Sequence, residues 1–140
     1  MNEVEENLEA TAAAFEAFGR GDTEAVLGTA HPEIEIFMPP PFPDAGAYRG
    51  REGYLEWTDR WLEVWKEFEI EITAMTPVGG RHVVADAHQR GVGRASGIVV
   101  EQDDAYMTEV RDGRFMALHL YPSHADALAA AQAREHEPQS

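Results

Sequence analysis

Hydrophobic and polar residues follow two periods along the chain, and the points where one period gives way to the other mark out the elements. Residues 3–19 keep the helical period, with Val4, Leu8, Phe15 and Phe18 on one stripe. Glu3, Glu5, Glu6 and Glu9 crowd the end where the helix dipole is positive. Gly19 and Gly21 stop this helix, and Asp22 stands where it can cap a short second helix over 23–29. His31-Pro32 breaks that helix, and Glu33-Ile34-Glu35-Ile36-Phe37 alternates as a strand. The proline run from Pro39 to Pro43 cannot pair inside a sheet, so a stiff loop follows, either bordering a pocket mouth or simply connecting elements. The spacing over 51–66 predicts the clearest helix, with Tyr54, Trp57, Trp61 and Trp65 within about 80° of arc. Trp61 is central in that arc and is expected to be the most buried of the three tryptophans.

From Phe68 onward the period shortens to two. Residues 68–73 alternate strictly, Gly79-Gly80 turns the chain, and a second strand runs from Val83 toward Arg90. Gly91, Gly93 and Gly97 mark a bulge or turn before a long strand from Ile98 to Val110. Arg111-Asp112-Gly113-Arg114 is a hairpin turn, and Phe115 to Tyr121 is the last strand. Ser123 caps a final helix, with Asp126 as its capping-box partner, and residues 135–140 are expected to fray. Helices segregated from a run of sequential strands define an α+β fold: a curved antiparallel sheet wrapped around the N-terminal helices. Nothing divides the 140 residues, which read as one domain with its core over 5–131.

Composition narrows the function. There is no cysteine, which excludes disulfides, thiolate chemistry and zinc–thiolate sites. The formal net charge is −15, a field that repels nucleic-acid backbones and anionic membranes. The N-terminus is acidic where a signal peptide is basic and then apolar, so a cytoplasmic location is expected. No phosphate-binding glycine loop, nucleophile elbow or His-Glu-x-x-His motif is present.

The element order, together with several short segments, resembles the SnoaL-like branch of the nuclear transport factor 2-like superfamily. The segments are Gly21-Asp22 after the first helix, His31-Pro32-Glu33-Ile34-Glu35 at the strand entry, and Tyr48-Arg49-Gly50-Arg51-Glu52-Gly53 at the helix start. Residues 89–97 and the Arg111–Arg114 hairpin complete the set. The resemblance implies a cone-shaped fold with an internal pocket for a small hydrophobic molecule, no cofactor, and a homodimer formed through the sheet. It also implies one of two functions. The first is acid/base isomerisation, cyclisation or dehydration of a carbonyl-type compound; the second is non-catalytic binding or a dimeric accessory role. Carried over onto this chain, the helix-one tyrosine of ketosteroid isomerases falls on Ala14, their base on Met38 and their oxyanion aspartate on Tyr106. Neither alanine nor methionine moves a proton, so ketosteroid isomerase activity itself is not expected.

Within such a pocket, the same carry-over from the resemblance implies that Tyr106, Thr108 and Val110 point inward, together with Phe115, Ala117, His119 and Tyr121. Phe15, Met38, Tyr54, Trp57 and Trp61 complete the expected lining. His119 then stands almost opposite Tyr106, as a proton carrier beside a hydrogen-bond donor, or else as a buried structural histidine. Asp86 and His88 share one face of their strand with Arg90, and that face belongs either to the interior or to a surface or subunit interface. Asp86, His88 and His119 offer two histidines and a carboxylate, but their spacing does not demand a metal, and none is expected. Asp103-Asp104 reads as a solvated turn or bulge rather than a catalytic pair.

Overall fold

The computed structural model describes residues 2–40, 42 and 44–137. The elements in chain order are α1 (Glu3–Gly19), α2 (Thr23–Thr29), β1 (Ala30–Met38), β2 (Gly46–Arg49), α3 (Gly50–Val64), β3 (Trp65–Val78), β4 (His82–Gly93), β5 (Val99–Arg111), β6 (Arg114–Tyr121) and α4 (His124–Glu135). The predicted caps are in place: Asp22 Oδ1 accepts from the Ala25 N–H at 3.1 Å and Ser123 Oγ from the Asp126 N–H at 3.2 Å. Strand β2 was not expected; it pairs antiparallel with β1 as the chain returns from the proline loop. Pro41 and Pro43 of that loop lie outside the described residues.

The strands form one mixed sheet in the order β2-β1-β6-β5-β4-β3, with β1 parallel to β6 and every other neighbour antiparallel. Helices α1 and α3 pack on the inner face around Phe15, Ile34, Ile36, Met38, Trp57 and Tyr106. On the outer face α4 lays Ala127 and Ala131 against Val84, Ala105 and Met107. The curved α+β cone is therefore as predicted, with one addition: a helix on the convex side.

Three details differ from the sequence expectations. Trp57 is the most buried tryptophan, 2% exposed, while Trp61 and Trp65 are half-buried because they border a cavity. Helix α3 ends two residues early, and Trp65 opens β3 in extended conformation. No glycine terminates α3. Instead Arg94, from the β4–β5 turn, donates to the Leu62 and Trp65 carbonyls at 3.0 and 3.2 Å and satisfies the open helix end. Lastly, Glu135 does not fray: it accepts from the Gly80 and Arg81 N–H groups, both at 3.1 Å, and locks the end of α4 to the β3–β4 turn. Residues 138–140 of the expected tail lie outside the described residues.

Candidate functional site

A β-bulge decides which side chains reach the interior. At the Arg111–Arg114 hairpin, Asp112 and Gly113 take positive φ values of 54° and 74°, as a tight two-residue turn requires. Arg111 pairs with Arg114 and Val110 with Phe115, but Glu109 pairs with Ala117, so Met116 is an extra residue. Past this point the parity of β6 is reversed. Tyr106 stands opposite Leu120 and Thr108 opposite Leu118, and these four side chains face inward. His119 is opposite Met107, on the outer face.

The expected His119–Tyr106 pair is therefore not assembled. His119 Nε2 lies 2.6 Å from Glu35 Oε1, and its ring packs 5.6 Å from that of Phe37, which is also its neighbour in register. Burial lowers the imidazole pKa from its ordinary value, with Glu35 opposing the shift. Ala117 and Tyr121 follow His119 to the outer side; Ala117 pairs with Glu109, and Tyr121 packs beside the α4 cluster. Asp86 and His88 also face outward. Asp86 Oδ1 meets His124 Nδ1 at 2.9 Å, and His88 Nδ1 meets Asp103 Oδ1 at 2.7 Å. Each histidine thus has its own carboxylate, and among the described residues no group of three or more metal-ligating side chains converges.

The inner face carries a cavity of about 380 Å³, within the usual range for small-molecule sites. One wall is aromatic: Trp61 from α3, Trp65 and Phe68 from β3, and Phe42 from the proline loop. Gly91 makes this wall possible, since a Cβ there would sit 2.6 Å from Cε3 of the Trp65 ring, which lies against β4. Met38, Leu120 and Val100 add aliphatic surface. Of the expected lining, Met38, Trp61 and Tyr106 border this space. Phe15, Tyr54 and Trp57 lie deeper, around a void of only about 20 Å³. Burial there raises the Tyr54 hydroxyl to about 12. Thr108 is inward but spent on structure, donating to the Val83 carbonyl at 3.0 Å and lying 3.4 Å from Thr11 Oγ1 of α1.

The polar part of the lining is Gln89, Gln102, Tyr106 and Asp44, and sequence reasoning missed most of it. Tyr106 Oη donates to Gln89 Oε1 at 2.9 Å, Gln89 Nε2 donates to Asp104 Oδ1 at 2.5 Å, and Gln102 Nε2 donates to Asp104 Oδ2 at 2.8 Å. Asp104 is buried, not a solvated turn. Desolvation raises its pKa against the two amide donors, and burial raises that of Tyr106 well above the ordinary phenol value, with Asp104 and Asp44 adding to it. The chain runs through alternate residues 102, 104 and 106 of β5 and through Gln89 of β4, the register that also carries Gly91. That two-residue spacing was the available signal.

Asp44, at the end of the proline loop, supplies a second carboxylate. It is 3% exposed, and its Oδ2 accepts from Trp57 Nε1–H at 2.8 Å. Its backbone carbonyl accepts from Tyr48 Oη at 2.8 Å, and Arg60 meets that hydroxyl at 3.1 Å. Among the described residues, no arginine, lysine or histidine lines the cavity.

This architecture agrees with what the chain resembles. Residues 11–118 match the SnoaL-like domain family, and the protein belongs to that family. Among solved structures, it is similar to an NTF2-like protein of unknown function from Burkholderia pseudomallei (TM-score 0.76, 17% identity, 92% of this chain and 97% of that one). It is also similar to a putative SnoaL-like polyketide cyclase from a Jannaschia species (TM-score 0.73, 20% identity, 95% and 96% covered). A third, TerC co-crystallised with polyporic acid, aligns with a TM-score of 0.75 at 19% identity over 91% and 98%. At these identities the likeness concerns the fold. Among curated proteins none matches the chain. No described helix is long and apolar enough to cross a membrane.

Proposed function

We propose that this protein binds one small, largely apolar molecule in the inner-face cavity and that the aromatic wall supplies most of the affinity. The observation carrying this reading is the cavity itself: four aromatic side chains and three aliphatic ones around about 380 Å³, with only a few polar groups among them. TerC, similar in fold, was co-crystallised with polyporic acid, which supports a small organic molecule as the kind of ligand held here. A two-ring alcohol such as 1-naphthylmethanol is the probe. Calorimetry is expected to give one site per chain with a dissociation constant on the order of tens of micromolar, ordinary efficiency for so few atoms. Val100→Trp, at the partly exposed mouth, is expected to abolish binding without unfolding the protein. An absence of heat, or binding indifferent to Val100→Trp, contradicts the reading.

Acid/base turnover of a carbonyl-type compound, as an isomerase, cyclase or dehydratase, is the second reading, favoured by one observation: a buried carboxylate, Asp44, borders the cavity. In that case Asp44, not His119, takes the proton, and Tyr106 steadies the developing oxyanion. Tyr106 counts against it as it stands, because its one proton is given to Gln89. Loss of turnover of a carbonyl substrate in Asp44→Asn, with retained binding, would establish catalysis.

We also propose a homodimer through the outer face of β1 and β6, where Phe37 is 37% exposed next to His119. Light scattering is expected to give twice the 15.5 kDa chain mass, and a monomer at micromolar concentration contradicts it.

A further inference from the structure

Among the described polar side chains that line the cavity, Asp44 and Tyr106 present oxygen lone pairs, Gln89 and Gln102 present amides, and none is a cation. Tyr106 spends its only proton on Gln89, because the Gln89 amide N–H is turned toward Asp104; what the phenol offers the cavity is a lone pair. Asp44 accepts one bond from the Trp57 indole, and among the described residues no second side chain donates to it and no cation pairs with it. The Arg60 guanidinium meets the Tyr48 hydroxyl instead. Asp44 lines the cavity, which puts its carboxylate within reach of a bound molecule. Gln89 and Gln102 each keep one amide N–H beyond the one given to Asp104.

A carboxylate 3% exposed and met by one neutral donor is undercompensated. A ligand with N–H donors and positive charge supplies what is missing. A primary ammonium brings three donors, enough to reach both the Asp44 oxygen and the Tyr106 lone pair. The aromatic lining favours the same group: Phe42, Trp61, Trp65 and Phe68 border the cavity, and ring faces attract cations. An anionic ligand meets the reverse, a carboxylate with no cation among the described lining, inside a chain of net charge −15.

We infer that the ligand of this cavity is an aromatic or otherwise apolar amine, bound as its ammonium with Asp44 as counter-ion. The inference rests on the cavity being the binding site and names the ligand class that fits it.

Three probes with one ring system and different head groups test it: 1-naphthylmethylamine, 1-naphthylmethanol and 1-naphthoic acid, titrated by calorimetry near neutral pH. The amine is expected to bind at least ten times tighter than the alcohol, and the acid at least ten times weaker. In Asp44→Asn, whose amide oxygen can still accept the Trp57 N–H, the amine is expected to lose its advantage while the alcohol keeps its affinity. If that variant does not fold, the order of the three probes on the unmodified protein decides alone. An alcohol that binds as well as the amine, or an acid that binds best, overturns the ammonium assignment and leaves the cavity reading standing. If none of the three binds, the cavity reading falls, and this inference with it.

Discussion

On the outer face of the sheet, Glu109 is 2% exposed and is met from three sides; on the inner face, Asp44 is just as deeply buried and meets one indole. Glu109 accepts from Arg111 and Arg134, both at 2.8 Å, and His82 Nε2 lies 3.5 Å away. His82 in turn contacts Glu135, which the β3–β4 turn holds through two backbone N–H groups. Burial alone would raise the Glu109 pKa, but His82, Arg134 and Arg111 outweigh it and hold the carboxyl below the ordinary range; Glu135 is lowered in the same way. This network ties α4 to β4 and β5. The inner carboxylates have no such partners: Asp104 has two neutral amides and a raised pKa, and Asp44 has its indole. Buried charge that is fully paired serves the fold, whereas charge left short of partners beside a cavity is what a ligand can complete.

Five substitutions separate these roles, beginning with the largest expected effect and ending with the smallest. Trp57→Ala removes a fully buried indole and is expected to cost about 3–5 kcal/mol in urea unfolding. Trp65→Ala, at the half-open cavity wall, is expected to cost only about 1–2 kcal/mol while losing the naphthyl probe. Equal costs would mean that the wall is ordinary core.

Glu109→Gln leaves arginines and a histidine without their counter-charge and is expected to cost about 3 kcal/mol at pH 7. Because the folded pKa is depressed below the ordinary 4.5, this stabilisation is complete above that value and is lost as the pH falls through the folded one. The gap between variant and wild type is therefore expected to close in acid. A gap constant down to strongly acidic pH would show that Glu109 is not held by charge.

Asp104 has the opposite sign. Its folded pKa is raised above the ordinary 3.8, so stability falls as the pH climbs from that value through the folded one, and stays reduced above it. Asp104→Asn is expected to match or exceed wild type by about 1 kcal/mol at pH 8 and to lose that margin toward pH 4. Clear destabilisation at pH 8 would place Asp104 with the paired carboxylates.

His119→Gln should matter least, within about 0.5–1 kcal/mol, with no effect on probe binding. Its folded pKa is lowered, so what it contributes is lost as the pH falls from the ordinary 6.5 through the folded value. A variant that no longer binds the probe would restore His119 to the site.

The sequence made the helices, the long strands and the hairpin legible, because each depends on local periodicity, caps and an Asp-Gly turn. Strand β2 lacked the length to show a period, and Arg94 as the cap of α3 is a contact across thirty residues that no local rule reveals. The site failed at one residue. Counting parity back from the hairpin requires an unbroken ladder, and Met116 adds a residue whose only sign is the final register. The bulge puts Leu118 and Leu120 at the inner face in place of the expected Ala117, His119 and Tyr121. Gln89, Gln102 and Asp104 were readable as an alternating polar set, but polar residues on a strand usually face solvent, and the pattern does not say which face is enclosed. Asp44 follows a proline run, where no period exists to orient it.

The three tryptophans provide the most direct test of the central claim that the inner-face cavity is the binding site. In a nitrogen-15-labelled sample their indole N–H groups give three side-chain signals, one from the core and two from the cavity wall. Titration with 1-naphthylmethanol is predicted to shift the Trp61 and Trp65 signals most, with smaller movement at Trp57 and none at the backbone amides of Phe37 and His119. Shifts concentrated at Phe37 and His119, with the Trp61 and Trp65 indoles unmoved, would place binding on the outer face and contradict the account.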